Sequence, residues 1–342
     1  MTTYLLKRFL LMIPTLIGIS IITFVLSRSA PGDPVSSEFG GGGSAGGSGG
    51  ASAGGAETLR EQQKAIARRK KELGLDKPYP VQYFYWMSRI LQGDLGESIK
   101  YRVPVSQKIG EAIGITIQLN IISLSLIYLI SIPLGIHAAI RRGKLDEKAM
   151  GITLFGLYSA PSFWVATLLL FYFANPAHFY WFDGIGLHKE KFQELPYLDQ
   201  LADWVWHLVL PVICLTYGGL ASLSRYARAG MLETIRKDYV RTARAKGLPE
   251  RVVIIKHALR NAMIPIITLL ANLLPAMIGG SVVIEYIFTI NGMGKLSFDA
   301  ILSRDYDMIM AFAMLSAVLV LLGMLVSDIL YTIVDPRISL EG

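Results

Sequence analysis

Long apolar runs alternate along the chain with polar, charge-bearing intervals. Six runs, at 9–27, 113–140, 149–174, 205–223, 262–288 and 309–334, are predominantly hydrophobic. As an α-helix each can cross roughly 30 Å of hydrocarbon. The formally charged residues within them are Glu285 and Asp328, each near one end of its run. Charge is most costly at the bilayer centre. The pattern therefore predicts an all-α polytopic membrane protein of about six transmembrane helices. Both carboxylates are read as structural groups that reach headgroups, water or a neighbour, ahead of an intramembrane ion site. Lys7 and Arg8 precede the first run as in a secretory signal, but no A-x-A cleavage pattern follows, so a retained first span is expected. Pro14, Pro133, Pro161, Pro211, Pro265 and Pro275 lie inside the runs and remove backbone donors, which predicts kinks.

The intervals set the orientation. Arg141, Arg142, Lys144 and Lys148 follow the second run, and the stretch 225–260 after the fourth is densely basic. Short basic loops stay in the cytoplasm. The alternate loops, 175–204 and 289–308, carry only Lys189, Lys191, Lys295 and Arg304 among more numerous acids such as Asp183, Glu190, Asp203 and Asp305. Both termini are thus expected on the cytoplasmic side. The predicted organisation is a first helix (1–28), an outer subdomain (29–111), a membrane domain (112–335) with a cytoplasmic loop at 225–260, and a short tail (336–342).

Within the outer subdomain, residues 40–55 are almost wholly Gly, Ser and Ala and read as a flexible linker, natural or engineered. A charged helix is expected over 57–73 with Gly74 as its cap. Tyr83, Trp86, Met87, Ile90 and Leu91 then recur at helical spacing. That helix either lies in the outer interface or packs against the bundle. Tyr172, Phe179, Tyr180, Trp181, Phe182, Trp204 and Trp206 flank the 175–204 loop as an interfacial belt.

Composition agrees with a bilayer as solvent: 52% of the 342 residues are hydrophobic, and the mean hydropathy is +0.45. The net charge of +7 comes from loops between apolar runs, and no basic stripe with interleaved aromatics points to nucleic acid. Cys214 stands alone, which excludes an intrachain disulfide and a cysteine zinc cage. The five histidines show no HExxH spacing, and no GxSxG occurs. The nearest approach to a phosphate loop, Gly292 to Lys295, lacks the earlier glycine and has Leu296 where Ser or Thr is required. No catalytic, cofactor-binding or metal-ligating set is expected, and the chain is read as a transport subunit and not an enzyme.

The 225–260 stretch is far longer than a turn. Within it, DYVRTARAKGLPERVVIIKHALRNAMIP (238–265) resembles the coupling loop of type I ABC importer permeases, specifically the first-subunit branch of the dipeptide and oligopeptide permease family. The general Glu-Ala-Ala, three-residue, Gly pattern places its Ala and Gly on Ala243 and Gly247. Arg241 and Thr242 stand for the first Glu-Ala, and His257, Leu259 and Arg260 for the later Ile, Leu and Pro. The peptide branch is similar at these departures. Pro31, Gly32, Asp33 and Pro34 after the first span, the segment 72–99, the residues Glu285, Phe288, Gly292, Gly294, Arg304, Asp305 and Tyr306, and the closing Asp335, Pro336 and Arg337 also match its pattern. The resemblance covers nearly all but 40–55.

A nucleotide-driven motor moves a membrane bundle only through a stiff element. A short helix over 239–246 ended by Gly247 fits that need. Tyr239, Arg241, Thr242, Ala243, Arg244, Ala245, Lys246, Gly247 and Leu248 are the candidate coupling residues. Ala243 and Ala245 are expected to allow close docking, and Arg241, Arg244 and Lys246 to pair with acids on the motor. The resemblance implies a homologous second permease, two cytoplasmic ABC ATPases that use ATP and Mg, an extracytoplasmic substrate-binding protein, and the inner membrane of a prokaryote. It implies di- or oligopeptides as substrate, with nickel complexes, glutathione or oligosaccharides as alternatives within the branch. A secondary transporter or channel working without ATP is the rival class. It requires intramembrane ionisable sites or an internal repeat, and neither is convincing here. A membrane-anchored receptor would need a larger folded extramembrane domain.

Overall fold

Proline marks where several helices start. Pro78, Pro161 and Pro196 stand immediately before helices, where a fixed φ and a missing donor cost least. In a computed structural model the described residues are 2–29, 61, 63–68, 70–71, 74, 76–189, 191–263, 266, 269 and 273–334. The linker at 40–55, the Pro31 to Pro34 motif, Pro265 and the closing Asp335, Pro336 and Arg337 lie outside them, as does most of the helix expected at 57–73. Gly74 has a φ of +65°, the left-handed geometry expected of a helix cap.

The helices are α1 (Thr2–Ser29), α2 (Tyr79–Leu91), α3 (Val105–Ile140), α4 (Leu145–Ser159), α5 (Ser162–Phe173), α6 (Tyr197–Thr234) and α7 (Asp238–Ala245). Next comes α8, which runs from Glu250–Val252 through a π-helical stretch, Val253–Leu259, into Arg260–Ala262. The last four are α9 (Leu273–Gly279), α10 (Val282–Ile287), α11 (Met293–Ser303) and α12 (Tyr306–Val334). No strand occurs among the described residues.

Helices α1, α3, α6 and α12 each contain a stretch long and apolar enough to cross a membrane. The predicted 149–174 span is broken: α4 and α5 meet at 94°, with Pro161 at the corner. Helices α1, α3 and α6 instead run through Pro14, Pro133 and Pro211. The predicted 262–288 span contains undescribed residues, and its described part includes the short helices α9 and α10. The two are separated at Gly280, whose φ is +63°.

Two compact units divide the described residues, one comprising those within 1–6, 112–295 and 319–342, the other those within 7–111 and 296–318. In the first, α6 is the central element. Leu208, Leu210, Val212 and Cys214 on it pack with Leu119, Ala166, Ile284 and Phe288. Helices α3 and α6 approach so closely that a Cβ at Gly135 would collide with the Cβ of Ala227, the small-residue contact common between membrane helices. The buried Glu285 carboxylate accepts from the backbone N–H of Ser281 at 3.2 Å and of Lys295 at 2.8 Å, and from Thr116 Oγ1 at 3.4 Å. Thr116 Oγ1 in turn accepts from Met293 N at 2.8 Å. Glu285 is therefore a structural knot that fastens the 280–295 turn to α3. Gly292 and Gly294 make room for it: a Cβ at Gly292 would lie 2.6 Å from the Glu285 carboxyl carbon.

In the second unit, Phe24, Trp86, Tyr306 and Met310 form the core, with Tyr83, Met87 and Ile90 of α2 against it. Ser20 Oγ and Tyr83 OH lie 2.8 Å apart. Of the two readings of the α2 pattern, packing describes these residues, whereas Leu91 is 81% exposed. The turn after α2 is shaped by Asp94, which takes Arg89 Nε at 2.8 Å and Gly96 N at 2.9 Å. The Arg89 hydrogen bond, with the Gly96 amide, holds the Asp94 carboxyl below its usual range.

Candidate functional site

Helix α6 has 38 residues, which gives a length of about 57 Å at 1.5 Å per residue. That exceeds a hydrocarbon slab, so part of the helix projects beyond it. A sharp turn at 235–237 then reverses the chain into the eight-residue α7. Alone, so short a helix is unstable in water. It holds because Val240, fully buried, and Ala243, 5% exposed, pack against Met231 of α6, Ala139 of α3, and Val253, Ile254 and Ala258 of α8. The far end is closed by Gly247, whose φ of +75° lets its N–H reach the Arg244 carbonyl at 2.9 Å.

The nine predicted coupling residues divide by face. Tyr239, Arg241, Thr242, Arg244, Ala245, Lys246, Gly247 and Leu248 are exposed, and Ala243 is not. Ala243 is buried against the bundle, so of the two small residues expected to allow close docking only Ala245 is exposed. Arg244 is also engaged within the chain: its Nη2 and Nε meet the two Glu250 carboxylate oxygens at 2.7 and 3.1 Å. That bond raises the guanidinium pKa and lowers the Glu250 carboxyl. Tyr239 OH accepts from Asn261 Nδ2 at 2.7 Å, and Thr242 Oγ1 donates to the Asp238 carbonyl. Arg241 stands outward with its guanidinium 3.7 Å from Asp238, both side chains largely exposed. Arg241 and Lys246 remain the outward cations of α7 and its cap.

Two features escaped the sequence reading. Arg228 near the end of α6 pairs with Glu147 of α4 at 2.6 Å, so the two basic loops, 141–148 and 225–260, meet at one end of this unit. Beside α7, Arg142, Leu232, Glu233, Arg236 and Lys237 line an open groove. Val240 as the anchor was legible only as one apolar residue in a polar run. Glu250 as a partner for Arg244 depends on the turn at Gly247.

Residues 131–340 match the family model described as the inner membrane component of binding-protein-dependent transport systems. The chain belongs to that family. The oligopeptide transport system permease protein AppB of Bacillus subtilis is 38% identical over 340 residues, 99% of this chain and 100% of the relative. The inner membrane ABC transporter permease protein YejB of Escherichia coli O157:H7 is 36% identical over 364 residues, covering both chains fully. The chain is thus a multi-pass permease subunit of an ABC importer, a class that works with an ATPase and a substrate-binding protein.

Proposed function

We propose that this permease moves di- or oligopeptides inward, paired with a homologous second permease, and that two ATPases using ATP and Mg drive it through α7. The observation that carries the coupling reading is the two-faced geometry of α7. One face is fixed to three bundle helices by Val240 and Ala243, and the other presents Tyr239, Arg241, Ala245 and Lys246. A helix attached in this way transmits displacement to α3, α6 and α8 together. The basic end of the bundle faces the cytoplasm under the positive-inside rule, and so do both termini. Peptide as cargo is supported by the similarity to AppB, an oligopeptide transport system permease protein, over 99% of this chain.

Nucleotide state shifts the bundle only if ATP binds one conformation more tightly. The test is binding-protein-stimulated ATP hydrolysis and peptide uptake by the reconstituted complex, native against the pair Arg241→Glu and Lys246→Glu. Hydrolysis and uptake falling together, with assembly intact, is the expected result. Undiminished coupling in the charge-reversed complex would reject α7 as the motor contact.

A further inference from the structure

We propose that the loop between α5 and α6 carries a divalent-cation site, of the zinc class, formed by Asp183, Asp203 and His207. Asp203 and His207 are four residues apart on α6 and share one face. Asp183 comes from the loop, and one donor atom from each of the three lies within 4.8 Å of the others. Imidazole with carboxylates suits zinc and its neighbours among the divalent transition metals.

The second observation is a buried oxygen without a partner. The Asp203 side chain is 4% exposed and that of His207 1%. Asp203 Oδ2 accepts the Lys189 backbone N–H at 3.1 Å, but Oδ1 is buried with no hydrogen bond. A buried carboxylate oxygen left in this way costs free energy. Protonated His207 does not resolve it, because Nδ1 stands 3.4 Å from Oδ1, longer than the roughly 2.7–2.9 Å of a charge-assisted bond. His188 Nδ1 is farther still, 3.8 Å from Oδ2. Yet 3.4 Å is about the separation of two donors on a tetrahedral ion at about 2.0–2.1 Å from each. Ligation through Nδ1 requires the neutral tautomer with its proton on Nε2. As found, Nδ1–H donates to the Asp203 carbonyl at 2.8 Å, and the cation displaces that proton and the bond it makes. Asp183 is held meanwhile by Lys189 Nζ at 2.9 Å and by Tyr180 OH at 3.1 Å. Lys189 is therefore the built-in competitor of the cation.

This competition gives the test its sign. The full chain in its assembled complex is stripped with chelator, and Zn²⁺ alone is titrated by calorimetry, with bound metal counted by mass spectrometry. The expected result is one Zn²⁺ per chain, weakened about tenfold or more in Asp183→Asn and strengthened in Lys189→Met. Both substitutions are at loop positions and leave the buried Asp203 and His207 in place, and the thermal midpoint of each variant checks that folding is kept. No stoichiometric Zn²⁺ at micromolar concentration, or binding indifferent to both substitutions, overturns the proposal and leaves a plain buried carboxylate–imidazole contact.

Discussion

Ser98 and Asp305 are 207 residues apart, yet the Ser98 hydroxyl donates to Asp305 Oδ2 at 2.5 Å, with both residues 1% exposed. The same carboxylate takes the Lys100 N–H, and its other oxygen takes Met308 N at the start of α12. Asp305 is thus both a helix cap and the clasp on the 96–100 turn. The segments 93–98 and 304–306, separate in the sequence, are two halves of one contact.

Ser98→Ala leaves a buried carboxylate short of a donor. The expected loss is about 1–3 kcal/mol, read as a lower thermal midpoint of the purified complex. Exposed Ser106→Ala should stay within about 0.5 kcal/mol.

Gly292→Ala drives a methyl into the Glu285 carboxyl carbon and into Thr116 Oγ1, each 2.6 Å from the ideal Cβ. A loss of about 1–3 kcal/mol is expected. Gly218→Ala, inside α6 with nothing within 4 Å, should be neutral or stabilise by up to about 1 kcal/mol. The two thermal midpoints, measured side by side, check the knot against a general intolerance of glycine replacement.

At Gly247, a φ of +75° is reachable by Ala with strain and closed to Pro. Gly247→Ala should cost about 1–2 kcal/mol, with coupling partly retained. Gly247→Pro also loses the N–H to the Arg244 carbonyl and should abolish stimulated hydrolysis. Charge reversal at Arg241 and Lys246 should leave the thermal midpoint unchanged, yet reduce stimulated hydrolysis about five- to thirtyfold if one to two kcal/mol of contact is lost. Equal loss of stability in these exposed variants would place their effect in folding.

The Arg244–Glu250 pair sets a pH dependence. The hydrogen bond from Arg244 lowers the folded Glu250 pKa below 4.5. Its contribution is therefore fully present above the unfolded value and is lost as pH falls through the folded one, where the carboxylate protonates. Being exposed, the pair is worth at most about 1 kcal/mol. Glu250→Gln should lose that increment at neutral pH and match the native complex in acid, a comparison read from thermal midpoints across a pH series.

Local chemistry made much of this protein legible in its sequence. The apolar runs identified α1, α3, α6 and α12, because a span must satisfy its backbone internally and carry few charges. Gly247 marked the end of α7, because few residues other than glycine take its φ readily. The basic run and the RTARAKG pattern fall within residues 131–340, the stretch that matches the family. Tertiary structure alone decided which side chains face which way. Ala243 turned out to be an anchor because Val240 and Met231 fix the rotation of α7, and Arg244 was taken by a partner across the Gly247 turn. Pro161 broke a run, whereas α6 continues through Pro211. Scattered histidines gave no metal spacing in sequence. The return of α6 past the loop is what brings Asp183 beside His207, and a contact between distant segments is specified by packing, which no local period records.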